Sequence, residues 1–122
     1  MTTNIKSDSN GDLTALVQIA DLGGMDAGFE GILAVNPEGC LGLLPPDGQG
    51  EVEVVVWPAG TRLTDEGELR SPTGETFAVG DEFSAGGGIL EDLRADKGDV
   101  VADCVADGEP GAVMHSVGPV GP

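Results

Sequence analysis

The chain has no tyrosine, one tryptophan and three phenylalanines, so aromatics make up 3% of its 122 residues. Its core must be aliphatic, built from Val, Leu, Ile and Ala. The same scarcity removes the stacking platforms on which single-stranded nucleic acids rest. Bases are few as well: five Lys and Arg stand against 22 Asp and Glu, for a formal charge of −17. A phosphate backbone is bound by Lys and Arg that displace its counterions, so nucleic acid is excluded as a ligand, and an anionic membrane surface is repelled. Self-repulsion among the acids should make stability rise with salt. No run of about 18 apolar residues occurs, so no membrane-spanning helix is expected. The opening residues, MTTNIKSDSNGD, hold no apolar signal core. Either the protein is cytosolic or a signal has been removed, and an extracytoplasmic setting is favoured.

Reactive groups are equally sparse. With one histidine, two cysteines and no C-x-x-C, a zinc site lacks its ligands. His115 and Ser116 are neighbours in a strand-like segment and point to opposite faces, so they form no nucleophile–base pair. The acid pairs Asp65–Glu66, Glu91–Asp92 and Asp107–Glu109 lack the spacing of a calcium loop and read as solvated turns. Acidic loops without aromatic sugar platforms also argue against a glycosidase pair. Gly86–Gly87–Gly88 lacks the Lys-Ser/Thr of a P-loop and the G-x-G-x-x-G of a dinucleotide site, and Glu91–Asp92 downstream would repel phosphate. No catalytic residue, metal ligand or cofactor is therefore assigned.

What the chain does hold is glycine (21), proline (8) and 39% apolar residues. That composition suits short strands joined by many turns, and the length suits one domain. The organising stretch is Glu51–Val79. Val52, Val54 and Val56 share one face of its first strand and are expected to be core. Glu51, Glu53, Val55 and Trp57 share the other, which turns apolar toward Trp57. Pro58 ends the ladder. Asp65–Gly67, Pro72–Gly74 and Gly80–Asp81 are turns, with a short edge strand at Leu69–Ser71 and a returning strand at Thr76–Val79. Upstream, Phe29–Val35 and Cys40–Leu44 form a hairpin about the Asn36–Gly39 turn. Downstream, Glu82–Leu90 is a strand whose three glycines permit a bend or close backbone contact. Glu91–Asp99 suits a helical turn, and Ala112–Val120 is a last strand. Met1–Asp12 reads as a mobile polar tail, and Leu13–Leu22 as a strand or short packed segment. The expected organisation is a flexible segment over residues 1–25 and a barrel over 26–122. The fold class is all-β, a small antiparallel barrel of five to seven short strands and at most one short helix.

One pattern is familiar. It runs Gly39–Cys40–Leu41–x–Leu43, Val56–Trp57–Pro58–x–Gly60–Thr61, Gly74, Ala78–Val79–Gly80–Asp81, Gly86–Gly87–Gly88, Cys104 and Val117–Gly118. This resembles small actinobacterial β-barrel domains of unassigned function, many of them in exported or lipid-anchored proteins. The likeness covers Gly31 to Val120. It departs where Ala112–Val113–Met114 replace expected aromatics and where no lipobox cysteine occurs. The resemblance implies an OB-like barrel outside the cytoplasm and supplies no reaction. Trp57, Pro58, Gly60 and Gly86–Gly88 would then shape the barrel. Cys40 and Cys104 suit either two buried thiols or a disulfide, and the resemblance favours the disulfide.

The expected function is a non-enzymatic, monomeric binding or protein-interaction module at the cell envelope, with an unknown protein partner, a basic one being among the options. The alternatives are an acidic cytosolic decoy or inhibitor that docks on a basic surface and, last, a small hydrolase.

Overall fold

A computed structural model describes residues 5–19, 27–94, 101–106 and 108–118. Ten strands follow in order: β1 (Ile5–Asn10), β2 (Leu13–Gln18), β3 (Ala27–Val35), β4 (Leu41–Leu44), β5 (Glu53–Trp57), β6 (Arg62–Leu63), β7 (Leu69–Arg70), β8 (Thr76–Phe77), β9 (Glu82–Leu90) and β10 (Gly111–Gly118). Among the described residues only Leu93 and Arg94 have α-helical backbone. The all-β expectation therefore holds, with more and shorter strands than foreseen.

Five strands close a barrel in the order β3-β4-β5-β10-β9 and back to β3. β3, β4 and β5 form an antiparallel meander, and β9 pairs antiparallel with both β3 and β10. The closing pair is parallel: Ala112 and Val113 of β10 lie beside Val55 and Val56 of β5. A meander closed through a parallel contact between its third strand and the last is OB-like. The pairing is otherwise antiparallel within the barrel, as expected; a second parallel contact lies outside its five strands, where Leu16 and Val17 of β2 run beside Val56 and Trp57. Parallel pairing joins strands far apart in the chain, so no hairpin turn announces it.

Both faces of β5 are buried. Val55 and Trp57 face the lumen with Val17, Leu33, Leu41, Phe83, Ala112 and Met114. Val54 and Val56 face outward, into a second cluster with Ile5, Leu16, Leu93, Val101, Cys104 and Val105. Val54 and Val56 of the all-valine face are therefore core, but outside the barrel, under the β9–β10 connection, whereas Val52, expected in the core with them, is only half-buried. Phe83 stands between Trp57 and Phe77, at centroid separations of 5.5 and 6.2 Å. Side chains from β2, β3, β4, β5, β7, β8, β9 and β10 meet in this one luminal cluster.

β6, β7 and β8 form a separate sheet whose inner residues Leu63, Leu69 and Phe77 join the luminal cluster. β7 pairs on both sides, so it is the centre of this lid and not an edge strand. Pro58 ends β5, and the turn that follows is closed by Thr61 N–H donating to Pro58 C=O at 3.1 Å, with Gly60 at φ 92°. Where the ladder stops, the buried Gln18 side chain donates to the carbonyls of Met114 (2.7 Å) and Trp57 (3.3 Å).

The polar residues read as a tail form β1 from Ile5 onward, paired along its whole length with β2. Side chains supply what apolar alternation does not. Asp8 accepts from Leu63 N–H at 2.9 Å, Asn10 donates to Thr64 C=O at 2.6 Å, and Ile5 is buried. β2 puts Ala15 and Val17 into the luminal cluster, so the N-terminal segment is part of the barrel's packing. Residues 1–4 and 20–26, and most of the expected helical turn at 91–99, lie outside the described residues.

The glycine run sits mid-strand in β9. A side chain on Gly87 would collide with the Val113 carbonyl of β10, whereas one on Gly28 in neighbouring β3 would meet nothing within 4 Å. Gly87→Ala is therefore expected to cost about 1–3 kcal/mol through forced backbone shifts. Gly28→Ala should stay within about 0.5 kcal/mol of the parent. Chemical denaturation of both variants checks the pair.

Candidate binding groove

The β3–β4 turn is organised by Asn36, which is buried and uses its whole amide. Its Oδ1 accepts from Glu38 N–H (3.0 Å) and Cys40 N–H (2.9 Å), and its Nδ2 donates to Cys104 C=O (2.9 Å). This ties the turn to the β9–β10 connection. The disulfide Cys40–Cys104 makes the same link covalently, with Cα atoms 5.7 Å apart. The connection is folded on itself: Cys104 and Val105 N–H both donate to Val101 C=O, and Glu109 accepts from Ala106 N–H through its side chain at 2.9 Å.

Between these parts and the start of β5 lies a groove of about 370 Å³. Val52, Val54 and Val105 give it an apolar floor, and Asn36 and Cys104 stand at its braced end. Three exposed glutamates line it, Glu38, Glu51 and Glu109, and among the described residues no base does. Chemically it suits a partner with an apolar strip and positive charge at the edges. Among the described residues no three His, Cys, Asp or Glu converge to hold a metal ion. A broader depression of about 930 Å³ lies over β3, β9 and β10, but Gly28, Gly86 and Gly118 line much of it and few polar side chains converge there.

The other sequence candidates are dispersed. His115 is the extra residue of a bulge in β10, where Met114 pairs with Gly87 and Ser116 with Gly86. Its Nδ1 is buried without a hydrogen-bond partner, and Ser116 is exposed. Asp65 and Glu66 are exposed in the β6–β7 turn. Asp92 accepts from Gly108 N–H at 3.3 Å, and Asp107 lies outside the described residues. Trp57 is fully buried, and its indole N–H has no partner.

Sequence reasoning passed over Glu53. It shares the luminal face with Val55 and Trp57, one Oε1 is buried without a partner, and desolvation raises its pKa from the ordinary 4.5. The signal was present: a carboxylate on the tryptophan's face of the most apolar strand. At the lid, hydrogen bonds from Thr73 and then Ser71 hold the exposed Glu75 below its ordinary value.

No family model, curated protein or solved structure matches this chain. No helix among the described residues is long and apolar enough to cross a membrane.

Two expectations follow. The crosslink closes a separation of 64 residues, for which the chain-entropy model gives about 4 kcal/mol. The paired variant Cys40→Ser/Cys104→Ser should lose about that much in denaturant unfolding, and reductant should then have no further effect. For Glu53, a raised folded pKa means that its favourable contribution is complete below the ordinary glutamate value and lost as pH rises through the folded pKa. Glu53→Gln should therefore melt higher than the parent at pH 7, with the gain shrinking on acidification and gone below about pH 4.

Proposed function

We propose that this protein is a non-enzymatic, monomeric binding module at the cell envelope, and that its groove takes a basic segment of a protein partner. The observation that carries this reading is the position and chemistry of the groove. OB-type barrels use the face of their second and third strands and the two loops flanking it. Here those parts are β4, β5, the β3–β4 turn and the β9–β10 connection, and the groove is lined by β5, its leading loop and both of those loops. Fold position alone gives no ligand; the lining does. Where a nucleic-acid-binding barrel needs bases and stacking aromatics, this one has Glu38, Glu51 and Glu109 over valines.

The disulfide supports the envelope setting, because such bonds persist in oxidising compartments. The resemblance to actinobacterial barrel domains in exported proteins points the same way. An acidic decoy in the cytosol would use the same groove against a basic site, but would not retain the disulfide.

The test is a nuclear magnetic resonance titration with the peptide Lys-Val-Lys-Val-Lys. Shifts are expected at Asn36–Cys40, Val52–Val54 and Cys104–Glu109, with affinity falling as salt rises. Joint substitution Glu38→Gln, Glu51→Gln and Glu109→Gln should weaken binding at least about tenfold, as expected for losing several charge-assisted contacts. Shifts spread evenly over the acidic surface, or affinity unchanged by the three substitutions, would contradict the reading.

A further inference from the structure

The lid sheet presents a second, opposite chemistry. Its strands alternate, so Leu63, Leu69 and Phe77 point into the barrel while the cross-strand row Arg62–Arg70–Thr76 faces out. Arg62 and Arg70 are both exposed and directly opposite each other. They are two of only five bases in a chain with 22 acids. Like charges directly opposite in an antiparallel pair are destabilising, and acids are at hand to relieve them: Asp65, Glu66, Glu68 and Glu75 all lie on the lid's own turns. Yet neither guanidinium has an ion pair or hydrogen bond among the described residues. Glu75 is held elsewhere, accepting from the Ser71 hydroxyl at 2.8 Å and from the Thr73 hydroxyl. The two arginines instead line a concavity of about 440 Å³ with Gly60, Ser71, Thr73 and Gly74.

We propose that Arg62 and Arg70 form a binding site for a single doubly charged oxyanion, of the phosphate or sulfate type. Guanidinium groups match such oxyanions through paired N–H donors, and a dianion between the two side chains would convert their repulsion into attraction. The ligand is an isolated charge and not a polymer, because the surrounding acids and the net charge of −17 oppose any extended polyanion. The site is separate from the groove and does not depend on the function proposed for it.

The experiment is a chemical-shift titration of the full chain with sodium phosphate against sodium chloride at matched ionic strength, repeated with phenyl phosphate. Saturable shifts at Arg62 and Arg70–Gly74 are expected with phosphate and not with chloride, together with a phosphate-dependent rise in melting temperature. Arg62→Gln and Arg70→Gln should each weaken binding at least about tenfold, the scale of one lost charge-assisted contact, while keeping the anion-free spectrum elsewhere. Glu75→Gln should tighten binding, because it removes a negative charge from the lid. Tighter binding of phenyl phosphate assigns the site to a phosphate ester; equal or weaker binding assigns it to the free ion. Absence of saturation with both anions, equal shifts in chloride, or undiminished binding in both arginine variants overturns the proposal.

Discussion

Strand β5 leaves no edge and no face to solvent along Val54–Trp57. One edge is taken by β10; the other is shared, β4 against its first residues and β2 against its last. Its luminal residues meet the aromatic cluster, and its outward residues lie beneath the β9–β10 connection. With only four aromatic side chains in the chain, this concentration matters. Trp57 and Phe83 fill the lumen, Phe77 seals them from the lid, and valines supply the rest. Burial of a large side chain contributes about 1.5–3 kcal/mol, so an aromatic-poor chain gains most by gathering its few rings around one strand.

The groove and the arginine pair follow from how β5 is covered. Its outward valines need a cover, and the β9–β10 connection supplies it, held by Asn36 and by the disulfide. Val52 is only half-buried, and a groove lies there between the described part of this cover and the β3–β4 turn. The luminal end needs a cover too, and the lid supplies it with three strands of two residues each. Strands so short bury one side chain each and expose the next, which leaves Arg62, Arg70 and Thr76 in a row on the outside. An acidic groove and a basic pair thus sit on two separate covers of one core.

The local parts of this design were legible in the residues. The valine alternation, the Trp57–Pro58 stop, the Asn36–Gly39 and Pro72–Gly74 turns and the hairpins they close are governed by neighbours in the chain. The parts that depend on distant residues were not. Parallel pairing of β5 with β10 joins positions some sixty residues apart with no turn between them. Alternation shows that Val54 and Val56 are buried but not that they lie outside the lumen. β1 has no apolar periodicity, since Asp8 and Asn10 fasten it by side-chain bonds to the lid. The groove draws on residues 36–38, 50–52, 54, 104–105 and 109–110, so no single motif contains it. The cysteines were legible as a pair, and Glu53 was visible as a charge on the tryptophan's face without its importance being apparent.

The central claim, that β5 is the strand on which the rest closes, is tested most directly by native-state hydrogen exchange. The amides of Val54, Val55, Val56 and Trp57 should exchange only through global unfolding, with an opening free energy equal to that from denaturant and the same denaturant dependence. Exchange of these amides through a smaller opening, while the β3–β4 hairpin or the lid stays protected, would contradict the account.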